Sequence, residues 1–281
     1  MRFPLFFERN SIYIGPTGQT SKAKGNTLVS SLQDGRWKNT LPGEIANEAD
    51  DMFNKTLVPQ SVAREIQTMI QSGALKAGDK IPSQREFAKR FGISRASLRE
   101  ALLTLETLGL LTTEAGRGTF VSATGAQREP GHMAPWRYSD SYPAFDVFQT
   151  RILLEGEIAR LSAGRLTHLQ LDAMENATRT MEEAWSRQDL VSNVEADLLF
   201  HGTIVSACSN SMLKALYQTV RDQLTETQRQ PIPITDPQRM SQSIAEHRRI
   251  IAALRANDGS AARHEMENHI GNTARCAGLA P

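Results

Sequence analysis

SQREFAKRFGISRASLREALLTLETLGLLTTEAGRGTFV, running from Ser83 to Val121, is the stretch on which the fold turns. It reads as two short helices, a tight turn and a β-hairpin. Ser83 can cap the free N–H groups of the first helix, and Glu86, three residues on, can reach back to complete a capping box. Phe91-Gly92 breaks that helix. Ser94 caps the second, whose Leu98, Ala101, Leu102, Leu105 and Leu108 are spaced for one buried face. Gly109 ends it. Arg95 and Arg99, four apart, share another face near its N-terminal end. Leu110 to Thr113, a turn over Glu114 to Gly118, and Thr119 to Val121 then read as strand, glycine-rich turn and strand, with Arg117 at the tip between two glycines. Helix, short turn, helix with leading arginines and hairpin is the logic of a winged helix-turn-helix. Its second helix lies in the DNA major groove, and the wing glycines let the backbone approach phosphates or enter the minor groove.

Arginines on short amphipathic helices are commonly only a solvated face. Here Arg85, Arg95, Arg99 and Arg117 all fall on elements that would face DNA, while Glu100 and Glu106 lie further along the second helix. The stretches PSQREFAKRFGISRASLREAL and LGLLTTEAGRGTFV resemble the winged-helix domain of GntR-type bacterial transcription regulators, over about Leu57 to Val121. The resemblance implies that Arg85, Arg95 and Arg99 contact DNA, with Ser97, Gly116, Arg117, Gly118 and Thr119 assisting. The family often carries a small hydroxyl residue where Ala96 stands. Arg95 and Arg99 would read base edges, and Ser83, Arg85 and the wing would hold phosphates or the minor groove.

Outward from this stretch, a length of 281 residues suggests two domains. The net charge of +1 excludes a uniformly basic nucleic-acid binder, so the DNA signal is local. Cys208 and Cys276 lie far apart without metal-type spacing and read as buried apolar residues in a reducing compartment. No apolar run approaches a membrane span, and MRFPLFFERN is too briefly apolar for a signal peptide; a cytoplasmic protein is expected. Residues 1–54 show no sustained period and read as a disordered or loosely attached extension. Met52, just ahead of the first helix, is a candidate natural start. An N-terminal peptide from upstream of it, found by mass spectrometry in native protein, would exclude that. The DNA-binding domain is assigned to 55–122, with a first helix from Pro59 to Ser72 burying Val62, Ile66, Met69 and Ile70. Residues 123–143, rich in Gly, Pro, Ser and polar residues, read as a linker that lays Trp136 against one of the domains.

From 144 to 278 helical periods dominate. Six helices are expected: Asp146–Ala163; one opened by Thr167 with Gln170; Leu190–Cys208; one capped by Asn210 or Ser211 with Leu213, Leu216, Val220 and Leu224 inward; one opened by Asp236-Pro237; and one opened by Asp258. They make an antiparallel bundle of about 135 residues, enough for its own core. The fold class is therefore mainly α, a winged helix followed by an all-α bundle.

Ionisable residues interrupt the apolar faces of that bundle. Asp197 and His201 share a face with Val194, Ile204 and Cys208. His247 lies with Ile244, Ile251 and Leu254, and His269 with Ala262, Met266 and Thr273. Buried charge is costly unless paired or bound to a metal. One carboxylate and three imidazoles from facing helices form a first shell for Zn²⁺, Ni²⁺ or Mn²⁺, with Zn²⁺ the first choice. The competing reading is a satisfied core in which Asp197 merely holds His201 as an i,i+4 pair. His132, His168 and His264 do not share the pattern and read as surface residues.

The bundle, from about Phe145 to Cys276, resembles the FCD ligand-binding domain of the FadR subgroup. The residues that carry the resemblance are Arg151-Ile152-Leu153-Leu154-Glu155, Asp197 with His201, Asn210, Glu246-His247 and His269. Metal-binding members use an Asp, a His four residues later and two further His, and all four positions match. Such domains sense small organic acids. The resemblance places Arg151 near the cavity, where its fork suits a carboxylate; its other reading is an ion pair with Glu155. Asn210 and Arg221 are further pocket candidates, although Asn210 also suits a helix cap. Glu246, beside His247, is expected to project off the inward face.

The expectation is a dimeric regulator, a repressor, whose winged helices bind double-stranded DNA at a pseudo-palindromic operator under the control of a small carboxylic-acid effector at the metal site. One alternative is a metal-responsive regulator in which the ion itself is the signal. Another is a metallo-enzyme fused to a DNA-binding head, against which stands the lack of an HExxH-type helix.

Overall fold

The structure, a computed structural model, describes residues 31–33, 36–38, 48–122 and 135–279. The expected N-terminal extension falls largely outside these, as do His132 and most of the expected linker. Within Met1–Asn47, one compact unit, a short hairpin pairs β1 (Ser31–Gln33) with β2 (Arg36–Lys38), Leu32 opposite Trp37.

The second unit, Glu48–Pro281, holds all the remaining elements. Helix α1 spans Glu48–Gln71 and so begins ahead of the expected start. Pro59 lies inside it and withdraws one backbone donor without ending it. Val62, Ala63 and Ile66 form its buried face. Helices α2 (Gln84–Phe91) and α3 (Arg95–Thr107) start where the serines predict. Ser83 Oγ accepts from the Glu86 N–H at 3.3 Å and Ser94 Oγ from the Ser97 N–H at 3.0 Å. Gly92 closes α2 at φ 67°, a left-handed conformation that favours glycine. The wing pairs β3 (Leu111–Glu114) with β4 (Gly118–Val121), Leu111 opposite Val121 and Glu114 opposite Gly118.

The C-terminal part is helical: α4 (Ala144–Ser162), α5 (His168–Ser186), α6 (Leu190–Ala207), α7 (Ser211–Thr219), α8 (Arg221–Arg229), α9 (Pro237–Arg255) and α10 (Gly259–Cys276). Helix α4 packs on α10, and α5 packs on α6 and α9. Thr167 and Gln170 form both halves of a capping box, and Asp189, Asn210, Asp236 and Asp258 cap α6, α7, α9 and α10. The single helix expected after Asn210 is two. Val220, at φ −108° and ψ 10°, steps out of helical geometry, and Leu216, expected inward, is 46% exposed. The step re-aims α8 so that Leu224, Glu226, Thr227 and Gln228 are all buried. Trp136 packs against the bundle core, as a linker residue laid on one domain would.

Helix α6 belongs to two cores. Its first residues, Leu190, Val191 and Val194, are buried with α1 and α3 in the winged-helix core, while Phe200, Ile204 and Val205 lie in the bundle core. Buried Gln67 of α1 completes the joint: its Nε2 donates to the Asp189 cap at 2.6 Å and its Oε1 accepts from the Val191 N–H at 3.1 Å.

Candidate metal centre and nucleic-acid face

Asp197 and His201 lie on α6, His247 on α9 and His269 on α10. One ligand atom from each lies within 4.8 Å of the others. The three imidazoles are buried. The rings of His247 and His269 approach to 4.4 Å between centroids, and Phe200 packs edge-on to His247 at 4.4 Å.

Each ring is turned by a bond to its Nδ1. Glu155 Oε2 lies 2.5 Å from His201 Nδ1, the Ser243 carbonyl 2.8 Å from His247 Nδ1, and Glu246 Oε2 2.8 Å from His269 Nδ1. A carbonyl and an ionised carboxylate only accept, so in each case Nδ1 carries a proton and Nε2 is the ring atom left to meet a metal. Both glutamates stay ionised. Burial alone would raise Glu155, but Arg151 and His201 hold it down at about 2. Burial likewise opposes ionisation of Glu246, yet His269 and Arg239 bring it to about 2. Burial, reinforced by His247, pushes His269 down to about 3 against the pull of Glu246, which leaves its ring neutral. Asp197 is half-buried; its partial removal from water is a raising influence, but His201, His247 and Arg151 hold it well below the ordinary carboxylate range.

The residues fit a cation. His247 Nε2 is buried with no hydrogen-bond partner, and it stands 3.1 Å from Asp197 Oδ1. A ring nitrogen and a carboxylate oxygen at that distance need a positive charge between them, a proton or a metal ion. One carboxylate with three imidazoles is a donor set suited to a divalent transition metal. Arg151 Nη2 is 3.3 Å from the His201 Nε2 lone pair, so a metal would take over an acceptor that the guanidinium now faces.

A cavity of about 40 Å³ opens beside the cluster, lined among others by Arg151, Asp197, Gln228, Arg239, His269 and Cys276. That is room for a few waters or a short molecule. Arg151 is 1% exposed. It makes the ion pair with Glu155, at 2.9 Å, and also lines the cavity. Asn210 and Arg221 are not among the lining residues. Asn210 Oδ1 accepts from the Met212 and Leu213 N–H groups as the cap of α7. Arg221 lines a different cavity, between α8 and the winged helix. Glu246 corrects the expectation that it points outward: it is 3% exposed. Arg239 grips it through both oxygens at 3.1 and 2.9 Å, Asn272 donates to it at 2.6 Å, and it turns toward His269. Cys276 is only half-buried, whereas Cys208 is buried as expected. His168 and His264 are exposed. Gln228 was not singled out by sequence reasoning; its Nε2 donates to Asp197 Oδ2 at 2.7 Å.

At the other end, Ser83, Arg85, Arg95, Arg99, Gly116 and Arg117 are exposed, and Ser97, Gly118 and Thr119 half-buried. Arg95, Ser97 and Arg99 line one shallow concavity at the start of α3. Among the described residues no ion-pair or hydrogen-bond partner engages Arg85, Arg95 or Arg99. Arg117 is different: it pairs with Glu114 across the wing turn and stacks on Phe120 at 5.5 Å. Ser97 Oγ is bonded to Ser94 Oγ at 2.8 Å, and Thr119 Oγ1 to Thr113 Oγ1 at 2.8 Å. Glu100, beside the arginines, is neutralised by Arg137 at 3.1 Å. Among the described residues no helix is long and apolar enough to cross a membrane.

Comparison with known proteins gives two family matches. Residues 59–121 match the bacterial regulatory proteins of the gntR family, and residues 146–272 match the FCD domain. The HTH-type transcriptional regulator LutR of Bacillus subtilis is 30% identical over 73% of this chain and 94% of its own length. The Uxu operon transcriptional regulator of Escherichia coli is 28% identical over 76% of this chain and 84% of its own. A solved structure of Streptococcus agalactiae GntR shares 27% identity over 77% of this chain and 99% of its own, with a TM-score of 0.40.

Proposed function

The chain belongs to the GntR family of bacterial transcription regulators, a DNA-binding winged helix joined to an FCD domain, and from that premise we propose how it is controlled. Asp197, His201, His247 and His269 hold a divalent transition metal, Zn²⁺ in the first instance. A small carboxylic acid completes the metal's coordination from the adjoining cavity, and its presence alters operator binding. The observation that carries the reading is the buried Nε2 of His247, in no hydrogen-bond geometry and 3.1 Å from a carboxylate oxygen.

The roles of the residues follow. Asp197 supplies the negative charge, and the three imidazoles bind through Nε2 in the tautomer that Glu155, the Ser243 carbonyl and Glu246 impose. The metal would supply a Lewis-acidic position for a carboxylate or hydroxyl oxygen. Arg151, already aimed at the centre, pairs with the second carboxylate oxygen. At the DNA end, Arg95 and Arg99 read base edges while Ser83, Arg85 and the wing hold the backbone. A two-fold dimer places two such heads on two half-sites. The acid acts only by binding one arrangement of the heads more tightly than the other.

The test is a thermal-shift screen of the full chain against short carboxylic acids, with metal present and after chelation. An acid that stabilises only the metal-loaded protein is the expected result. A shift that survives chelation would move the effector off the metal. A shift with metal alone, accompanied by metal-dependent operator binding and no response to any acid, would favour the metal-responsive alternative. Loss of operator binding in the presence of the acid is the repressor outcome.

A further inference from the structure

Three consecutive residues of α8 engage three different parts of the molecule. Glu226, Thr227 and Gln228 are all buried, and successive residues of a helix point about 100° apart. Gln228 lines the cavity and donates through Nε2 to Asp197 Oδ2 at 2.7 Å. Thr227 Oγ1 accepts from Arg151 Nη1 at 3.4 Å. Glu226 Oε1 accepts from Thr107 Oγ1 at 2.8 Å, a buried bond onto the last residue of α3. One end of this triplet thus touches the metal cluster and the other holds the recognition helix.

Gln228 also has spare capacity. Its Oε1 is buried with no hydrogen-bond partner. The amide cannot be reversed to relieve this, because its oxygen would then face the Asp197 carboxylate. A donor on a bound molecule, a hydroxyl or a metal-bound water, would satisfy it. Thr227, by contrast, is fully committed: it donates to the Leu224 carbonyl at 2.6 Å while accepting from Arg151. A displacement at Gln228 therefore has little slack to be absorbed before it reaches Glu226, two residues away in the same turn.

We infer that α8 carries the state of the buried centre to the DNA-binding head, Gln228 meeting what occupies the cavity and Glu226 gripping the end of the recognition helix through Thr107. The metal-added arm of its test rests on the reading given above; the metal-free arm does not.

The measurement is hydrogen–deuterium exchange of the full chain, read at the amides of Leu108, Gly109 and Leu110. These bond to the Thr104, Glu106 and Leu105 carbonyls and exchange only when the end of α3 opens. Zn²⁺ added to chelator-stripped protein should slow exchange both in α8 and at these amides, by about threefold or more. In Thr107→Val the response in α8 should remain and that at the end of α3 should vanish, while Thr107→Ser, which keeps the hydroxyl, restores it. A full response at α3 in Thr107→Val would mean that the signal travels along α6, and would overturn the inference. So would a wild-type protein in which Zn²⁺ protects α8 but not α3. Should no protein take up Zn²⁺, the metal reading fails, and the coupling is decided without metal. Gln228→Leu should then speed exchange at the end of α3 by about threefold relative to wild type, and faster exchange in α8 with α3 unchanged would overturn the coupling.

Discussion

The buried centre and the DNA face are built on opposite plans. At the centre the imidazoles are oriented before anything binds: Glu155, the Ser243 carbonyl and Glu246 each turn one of them, and Arg239 and Asn272 in turn fix Glu246. At the DNA face Arg85, Arg95 and Arg99 stand exposed, without partners among the described residues. Low dielectric explains the difference. A charge withdrawn from water must find its counterpart inside the protein, whereas an exposed guanidinium is satisfied by solvent until phosphates and bases replace it. The centre is organised in advance; the face is organised by its partner.

The largest effect that would sharpen this contrast is metal removal. At a free metal concentration of about 1,000 times Kd, binding adds roughly 4.1 kcal/mol. Chelation should therefore lower the melting temperature by about 10 °C, at about 2–4 °C per kcal/mol for a chain of this class. An unchanged melting temperature in protein shown to have lost metal would break the comparison. At the other region, Arg95→Ala should cost about 1–3 kcal/mol at one base position and relax specificity there, while Arg117→Ala weakens all sequences more evenly. Binding assays over operator variants decide this, and equal effects of the two would contradict the division of labour.

Glu246→Gln should weaken metal binding by about 10–100-fold, because His269 loses its orienting carboxylate. Competition with a chelator measures it, and operator affinity of the stripped protein should not move. Acid provides a graded version of the same contrast. The folded protein holds His269 down near 3, while an unfolded histidine titrates near about 6.5. The unfolded chain thus binds a proton that the folded one refuses. This stabilisation is complete above the unfolded value and is lost as pH falls from there toward 3. The melting temperature of stripped protein should fall across that window, and less steeply in His269→Asn. The smallest effect is expected at the wing. Glu114→Gln releases Arg117 from an exposed pair worth at most about 1 kcal/mol, and operator affinity should rise by a few-fold at most, most visibly at low salt.

Local rules made much of the fold legible. Ser83, Ser94, Thr167, Asp236 and Asp258 announce helix starts by chemistry confined to three or four residues, and each caps the helix it was expected to cap. The 3.6-residue period likewise put Asp197, His201, His247 and His269 on inward faces. The partners of those residues were not legible, because they come from other elements. Glu155 reaches His201 from α4, Gln228 reaches Asp197 from α8, and Glu246 turns to His269 rather than to its own neighbour His247. Periodicity also failed at Val220, whose apolar side chain continues the pattern while its backbone leaves the helix. Asn210 and Arg221 do not line the cavity beside the cluster: the first is engaged as a cap and the second faces another cavity.

The double membership of α6 has a consequence for modularity. A chain cut in the segment after Ser122 would not yield two self-sufficient pieces. The winged helix would lose Leu190, Val191 and Val194 from its core and the partner of Gln67, and the bundle would expose those same apolar side chains to water. A head grafted from another regulator would have to bring a surface that accepts this particular helix end. Exchange of heads between such proteins is thus constrained by a seam that lies well inside the second domain, some seventy residues (~70) beyond the last strand of the wing along the chain, at a place where no linker marks it.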